Sequence, residues 1–169
     1  EVEKTLSPSM DIQVSSNFER LLFDMLDGDC AAVRKWLADF RKTGVVSVDD
    51  MRLTKAREQF EAARLDDDGT RRVIQEILEN VGELLDPHSA IGVDAARQCR
   101  GDKAVPVVSL ATAHPAKFPD AVESATGVRP QLPPRMAGLF DRAERFDTLA
   151  NDVTALQDLI RRTSEENSP

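Results

Sequence analysis

The chain has 169 residues, enough for one domain of ordinary size with a real core. Its 22 Lys and Arg residues against 30 Asp and Glu residues give a net charge of −8, which argues against nucleic acid and anionic membranes as main partners. Neither a secretory leader nor a membrane-length apolar run is visible, so we expect a cytoplasmic protein with unbridged Cys30 and Cys99.

The first half of the chain is predicted to be helical. Apolar residues at helical spacing within 17–26 predict a helix capped by Asn17 or Ser16. A second helix is predicted over 30–42, with Gly44 as its C-terminal stop, so the two form a hairpin. Residues 49–65 show a sparser helical period.

The stretch from 66 to 85 begins with three acidic residues and continues with a strong apolar stripe. A calcium loop would need alternating oxygen ligands and a distal Glu, which this stretch lacks. Because negative charge is favourable at a helix N-terminus, we favour a helix whose start signal is Asp68-Gly69-Thr70.

The second half mixes helices with one predicted strand. Asp86 as cap and Pro87 at the first position predict a helix start. The apolar run 104–110 predicts a buried strand, and a helix over 119–126 follows, ending at Gly127. The fold expected is therefore mostly α-helical with one strand-turn-helix unit of a parallel sheet. Further helical residues are expected near 135–142 and 151–162.

The turn after the predicted strand gathers Thr112, His114 and Lys117. In open α/β sheets, ligands bind beyond the carboxyl ends of the strands. There a hydroxyl can donate to a heterocyclic nitrogen, and an ammonium beside a helix start favours an anion. Thr112 could equally cap a turn, His114 could be a structural hydrogen-bonding residue, and Lys117 a solvated charge.

A second polar stretch, residues 7–20, precedes the first helix. It is either a loop that caps this helix or a surface that faces a polar ligand. The residues that would face such a ligand are Ser9, Asp11, Ser15, Ser16 and Asn17.

Several classes of site are absent from the sequence. The separation of His88 and His114 matches no metal-ligand spacing, so we expect no metal site. Neither a Gly-rich phosphate loop, nor a nucleophile elbow, nor an aromatic and basic patch is present.

Three blocks carry a family resemblance: SPSMDIQVSSNFERLLFD, LLDPHSAIGV and LATAHPAKFPDAVESATGV. Their order and intervals resemble the C-terminal part of bacterial threonine synthases over residues 5–162. The resemblance implies the α/β fold of tryptophan-synthase-like enzymes, which use pyridoxal 5'-phosphate. It also implies conversion of O-phospho-L-homoserine and water to L-threonine and phosphate.

The resemblance assigns expected roles to some residues. It places Thr112 near the pyridine nitrogen of the cofactor, where a hydroxyl leaves that nitrogen largely unprotonated. It suggests, more weakly, substrate contacts for the other polar residues of the blocks. These substrate-binding candidates are His114, Lys117, Ser9, Asp11 and Asn17.

The sequence departs from the family pattern in one large respect. The Schiff-base lysine of such enzymes lies in a Ser-Phe-Lys-Asp-like segment, and their cofactor phosphate lies in a Gly-Asn-Phe-Gly-like loop; neither segment occurs here. We therefore expect a C-terminal fragment, without its natural N-terminus, that is inactive without the N-terminal part of the same protein. The lysines that lie outside the expected context are Lys4, Lys35, Lys42, Lys55, Lys103 and Lys117.

The expected organisation has four parts. Residues 1–16 form a polar connection, 17–86 a helical region, 87–130 a helix and the final strand-turn-helix, and 131–169 C-terminal helices and a tail. The alternative function is a non-catalytic helical protein-interaction module, in which the 111–117 turn merely caps a helix.

Overall fold

The computed structural model describes residues 3–12 and 15–166. These fall into two compact units, Glu1–Gln131 and Leu132–Pro169. The helices of the first unit are α1 Phe18–Met25, α2 Cys30–Thr43, α3 Asp50–Arg57, α4 Asp67–Val81, α5 Pro87–Cys99 and α6 Pro119–Thr126. The second unit has 3-10 turns at Pro134–Met136 and Leu139–Asp141, then α7 Val153–Glu166.

Helices α1 and α2 form the predicted hairpin. The turn between them passes through Asp27 and Gly28, both with positive φ, and Asp29 caps α2 by accepting the backbone N–H of Ala31. Gly44 ends α2 in the left-handed conformation, which glycine adopts without steric cost. Asn17 occupies the N-cap position of α1, one of the two residues predicted there, but its side chain makes no capping hydrogen bond.

The core of the first unit lies where α4 packs against α5 and α6. Val73, Ile74 and Ala90 are buried at its centre, and Val122 of α6 is fully buried. The apolar stripe predicted for α4 therefore faces its neighbours. Partly buried side chains complete the core: Leu65, Ile77, Leu85, Val93 and Ala125.

The predicted buried strand is wrong. The described residues contain no β-strand, and 106–110 has no regular secondary structure. Its apolar side chains are exposed, with Val108 at 81% and Leu110 at 73%, whereas Ser109 is partly buried. An apolar run favours burial, but a strand also needs a neighbouring strand to pair with its backbone groups, and Pro106 lacks an N–H. The expected strand-turn-helix unit of a parallel sheet is thus only a turn and a helix.

The charged region before α4 is less helical than predicted. Helix α3 ends at Arg57 and has no buried residue. Because most helical stability in proteins comes from packing, the helix does not extend to residue 65, although the apolar spacing predicted that it would. Helix α4 begins at Asp67 with Asp66 as its cap, so it starts one residue before the predicted start signal Asp68-Gly69-Thr70. The acidic run serves a helix N-terminus, as we favoured over a calcium loop: Asp66 accepts the N–H of Gly69 at 2.7 Å.

Among residues 3–12 and 15–166, no helix combines the length and apolar character needed to cross a bilayer. In the second unit, the helices predicted near 135–142 are two single 3-10 turns. The helix predicted over 151–162 is α7.

Candidate functional site

The start of α5 is a buried polar site. Asp86 caps this helix by accepting the backbone N–H groups of His88 at 2.9 Å and Ser89 at 3.3 Å. Pro87 at the first helical position has no N–H to satisfy. Asp86 is only 1% exposed, and burying a carboxylate is unfavourable unless its oxygens accept hydrogen bonds.

Two side chains of α5 also donate to the Asp86 carboxylate. His88 Nδ1 lies 2.9 Å from Oδ1, and the Ser89 hydroxyl donates to Oδ2. Both residues are buried themselves. The three residues Asp86, His88 and Ser89 are called the α5 polar cluster below.

The α5 polar cluster binds two loops that are far apart in the sequence. His88 Nε2 accepts the backbone N–H of Ser9 at 3.2 Å. The Ser89 hydroxyl oxygen accepts the backbone N–H of Thr112, also at 3.2 Å. The two polar stretches singled out in the sequence therefore meet at one helix start.

Thr112 is held through its backbone N–H, which donates to Ser89, so its side chain is available to a ligand. Its hydroxyl is exposed and makes no hydrogen bond within the described part of the chain. The capping role considered for this residue is not observed. A hydroxyl in this state can donate to a ligand without first breaking a protein contact.

His114 and Lys117 lie on the 3-10 turn Pro115–Lys117 that follows. His114 Nδ1 accepts the N–H of Ala116 at 3.1 Å and so caps the turn, as its structural interpretation held. The Lys117 ammonium lies 5.6 Å from the ring centre of Phe118 and forms no salt bridge in the described part. The Phe118 ring in turn lies 4.6 Å from the His88 ring, so the turn packs on the α5 polar cluster.

Asp11 belongs to the loop that contains Ser9, and its carboxylate is already occupied. Its two oxygens accept the backbone N–H and the hydroxyl of Thr5, each at 2.7 Å. Leu6 N donates to Asp67 Oδ1 at 3.0 Å, which ties the loop to the start of α4. Asp11 therefore shapes the loop, whereas the exposed side chain of Ser9 remains available.

Asn17 lines an open groove of about 880 Å³ beside α1 and α3. Arg20 and Lys55 contribute positive charge to this groove, and Phe18 and Phe60 contribute apolar surface. Its lining contains neither Thr112 nor the 3-10 turn that follows it. The structure thus groups Asn17 with Ser15, and not with Ser9, Thr112 or Lys117. Gln13 and Val14, in the same polar stretch, lie outside the described residues.

A lysine that forms a Schiff base with a carbonyl cofactor needs a particular environment. Such an amine must lose its proton, which burial favours. All six lysines lie in the described part and are exposed, and Lys35 and Lys55 form salt bridges with Asp39 and Asp27. The Thr112 hydroxyl has the chemistry to donate to a heterocyclic nitrogen, but no lysine here has the burial that a Schiff base favours. Nor do the described residues group three potential metal ligands.

The α5 polar cluster was not predicted from the sequence. Asp86 was expected only as a helix cap, and His88 was considered only as a metal ligand. A signal was available, because a capping Asp lies within reach of side chains two and three residues later. The contacts with Ser9 and Thr112 span 79 and 23 residues and could not be seen in local sequence.

Comparison with known proteins agrees with the three sequence blocks. The family described as "Threonine synthase, C-terminal" matches residues 89–160. A threonine synthase of Pseudomonas aeruginosa is 48% identical over 166 residues, covering 98% of this chain and 35% of its own length. One of Corynebacterium glutamicum is 36% identical over 163 residues, covering 95% of this chain and 34% of its own length.

Two solved structures have the same fold over nearly the whole chain. A threonine synthase of Brucella melitensis with bound pyridoxal phosphate gives a TM-score of 0.80 at 46% identity, over 97% of this chain and 35% of that one. The yeast threonine synthase gives 0.75 at 31% identity, over 98% and 37%. The chain spans about a third of the length of these relatives. The suspected resemblance is therefore confirmed, and the chain belongs to the threonine synthase family, matching its C-terminal part.

Proposed function

We propose that this chain is the C-terminal part of an enzyme that converts O-phospho-L-homoserine and water to L-threonine and phosphate with pyridoxal 5'-phosphate. Membership of the family and the cofactor-bound relative from Brucella melitensis support the proposal. The single observation that carries it in this chain is the free, exposed hydroxyl of Thr112 on a loop fixed by its main chain.

In this proposal Thr112 binds the pyridine nitrogen of the cofactor. When bound, pyridoxal phosphate supplies an electron-withdrawing ring that stabilises negative charge on the carbon skeleton of an amino acid substrate. A neutral hydroxyl leaves the ring nitrogen largely unprotonated, whereas a carboxylate partner would favour its protonation. Thr112 thereby sets how strongly the ring withdraws electrons.

The residues next to Thr112 are proposed to bind the substrate. Lys117 carries an exposed ammonium without a salt-bridge partner in the described part, which suits an anionic phosphate group. His114 caps its turn through Nδ1, which leaves Nε2 for a ligand. Ser9 can offer its hydroxyl from the loop that shares the α5 polar cluster. Asn17 and Asp11 remain weaker candidates, Asn17 because it lines another groove and Asp11 because Thr5 occupies its carboxylate.

The 169 residues alone are proposed to be inactive. None of the six exposed lysines suits the covalent role, so that role belongs in the two thirds of the relatives that this chain does not match. The proposed partners are accordingly the small-molecule substrate and the N-terminal part of the same protein. We place the enzyme in the cytoplasm, where Cys30 and Cys99 would stay unbridged, as they are here.

The alternative of a non-catalytic interaction module rests on the exposed apolar residues of 105–110. Exposed apolar surface indicates contact with other protein, but it does not require that protein to be a separate partner. The family relationship favours the enzyme, because its members contain further chain beyond the matched third.

Replacing Thr112 in the complete protein tests the proposed role. We expect Thr112→Val to lower kcat by about two orders of magnitude, since a preorganised donor to a charged or polarised site typically contributes that much. Steady-state release of phosphate from O-phospho-L-homoserine measures the rate. Because valine has nearly the shape of threonine and the Thr112 hydroxyl makes no hydrogen bond within the described residues, the thermal midpoint should stay within a few degrees of wild type.

Thr112→Ser is the matched control, because it retains the hydroxyl. It should keep most of the activity that Thr112→Val loses. Equal rates for wild type and Thr112→Val would remove Thr112 from the site. An equal loss in both variants would mean that the methyl group, and not the hydroxyl, matters.

A further inference from the structure

In the described part of the chain, no buried polar side-chain atom of the α5 polar cluster lacks a hydrogen-bond partner. Asp86, His88 and Ser89 are 1%, 6% and 3% exposed. Groups buried to this extent destabilise a protein unless each donor and acceptor has a partner. Here the partners form a chain of hydrogen bonds with a defined direction.

The direction follows from the acceptor-only character of the Asp86 carboxylate. His88 must carry its proton on Nδ1 to donate to Asp86 Oδ1, which leaves Nε2 as an acceptor for the N–H of Ser9. Ser89 has a single hydroxyl proton, which goes to Asp86 Oδ2, so its lone pairs accept the N–H of Thr112. Asp86 therefore orients two separate acceptors.

Each acceptor fixes the main chain of one loop. The Ser89 arm fixes Thr112 and the His88 arm fixes Ser9, and no other side chain accepts either N–H in the described part. Two further observations show that residues near Thr112 lie close to α5. The Phe118 ring packs on His88, and a methyl group added to Gly92 would lie 2.9 Å from Ser109 Oγ.

We propose that Ser89 and His88 are positioning residues that fix the Thr112 and Ser9 loops independently, with Asp86 orienting both. Neither residue touches the cofactor or substrate in this proposal. Its link to catalysis rests on the proposed role of Thr112, but the hydrogen-bond mechanism itself does not. A displaced Thr112 main chain would misdirect a hydroxyl whose geometry matters on the scale of an ångström.

Amide hydrogen exchange in the complete protein tests the two arms separately. In wild type, the amides of residues 9 and 112 should both be protected. Ser89→Ala should speed exchange at residue 112 by about tenfold, the loss expected for one hydrogen bond, and leave residue 9 unchanged. His88→Phe, which keeps a ring against Phe118, should do the reverse. Asp86→Asn should speed exchange at both residues.

Ser89→Thr is the matched control, because it restores the hydroxyl. It should recover the protection of residue 112. Ser89→Ala should also lower kcat, because it displaces Thr112, and Ser89→Thr should restore that rate. A merely structural role would instead raise exchange at residues 9 and 112 together in every variant, which would overturn the proposal. Unprotected amides at both positions in wild type would also overturn it, even if no variant folds.

The outcomes separate this proposal from the proposed function. The exchange pattern decides whether the two arms act independently, and it does so whatever the enzyme catalyses. Turnover of Thr112→Val decides whether the hydroxyl serves the cofactor. Selective exchange with an active Thr112→Val protein would keep the positioning mechanism and reject the cofactor role.

Discussion

Ser109 has a buried hydroxyl that makes no hydrogen bond with the described residues. Such a group typically lowers stability by about 1–3 kcal/mol. We therefore expect Ser109→Ala to raise the free energy of unfolding by about 1 kcal/mol. Gly92→Ala by itself should hardly change the free energy of unfolding, because the new methyl group would lie 2.9 Å from Ser109 Oγ. In the Ser109→Ala background, Gly92→Ala should raise the free energy of unfolding by about 1 kcal/mol, because alanine has a higher helix propensity than glycine.

Denaturant unfolding of wild type, Ser109→Ala, Gly92→Ala and the double variant measures the coupling between residues 92 and 109. Gly101→Ala is the control, because its new methyl group would meet open space. Its effect should simply add to that of Ser109→Ala. Additive effects for Gly92→Ala as well would show that Ser109 does not crowd α5.

At the residue scale, the sequence indicated which side chains suit a binding site, but not which residues contact one another. The side chains of Thr112, His114 and Lys117, in the turn after the predicted strand, suggested a site. The structure brings the loop that contains Ser9 to the same helix start as Thr112. The role of Asp11 was not predictable, because its partner Thr5 became relevant only through the shape of the loop. Asn17 illustrates the same limit, since its polarity said nothing about which surface it would join.

At the element scale, a salt bridge joins the turn between α1 and α2 to α3. Lys55 Nζ lies 2.9 Å from Asp27 Oδ1, and this hydrogen bond, with the lysine charge, holds the pKa of Asp27 below its ordinary value. A depressed carboxyl pKa stabilises the fold above the pKa of the unfolded state. That contribution disappears as the pH falls through the lower pKa of the folded state.

Carboxyl NMR titration checks this effect. Lys55→Met should raise the pKa of Asp27 towards its ordinary value and weaken the pH dependence of stability in the acid range. Lys42→Met removes one charge from α2 and should leave Asp27 unchanged, since Lys42 does not contribute to the shift. The account is contradicted if Asp27 titrates identically in wild type and Lys55→Met.

Helices were more predictable than their neighbours because their signals are local. Gly44, Asp86 and Gly127 marked helix ends through capping and left-handed geometry that depend on a few adjacent residues. The strand predicted at 104–110 depended on partners elsewhere, and the described part provides none. Helix α3 is shorter than predicted, because helical spacing of apolar residues stabilises a helix little when those residues are not buried.

At the scale of the whole molecule, the chain offers part of a site. The α5 polar cluster holds Thr112 with its hydroxyl free, but all six lysines are exposed and the chain spans about a third of its relatives. Exposed apolar residues such as Val108 show surface that this chain alone does not cover. The family was predictable from three sequence blocks, since their order and spacing together are specific.

The most direct test of the account is the NMR signal of the ring nitrogen of ¹⁵N-labelled pyridoxal phosphate bound to the complete protein. We predict a neutral, hydrogen-bonded nitrogen in wild type and in Thr112→Ser, and a shift towards a nitrogen without a donor in Thr112→Val. A protonated nitrogen in wild type, or identical signals in all three proteins, would contradict the assignment of Thr112 to the cofactor.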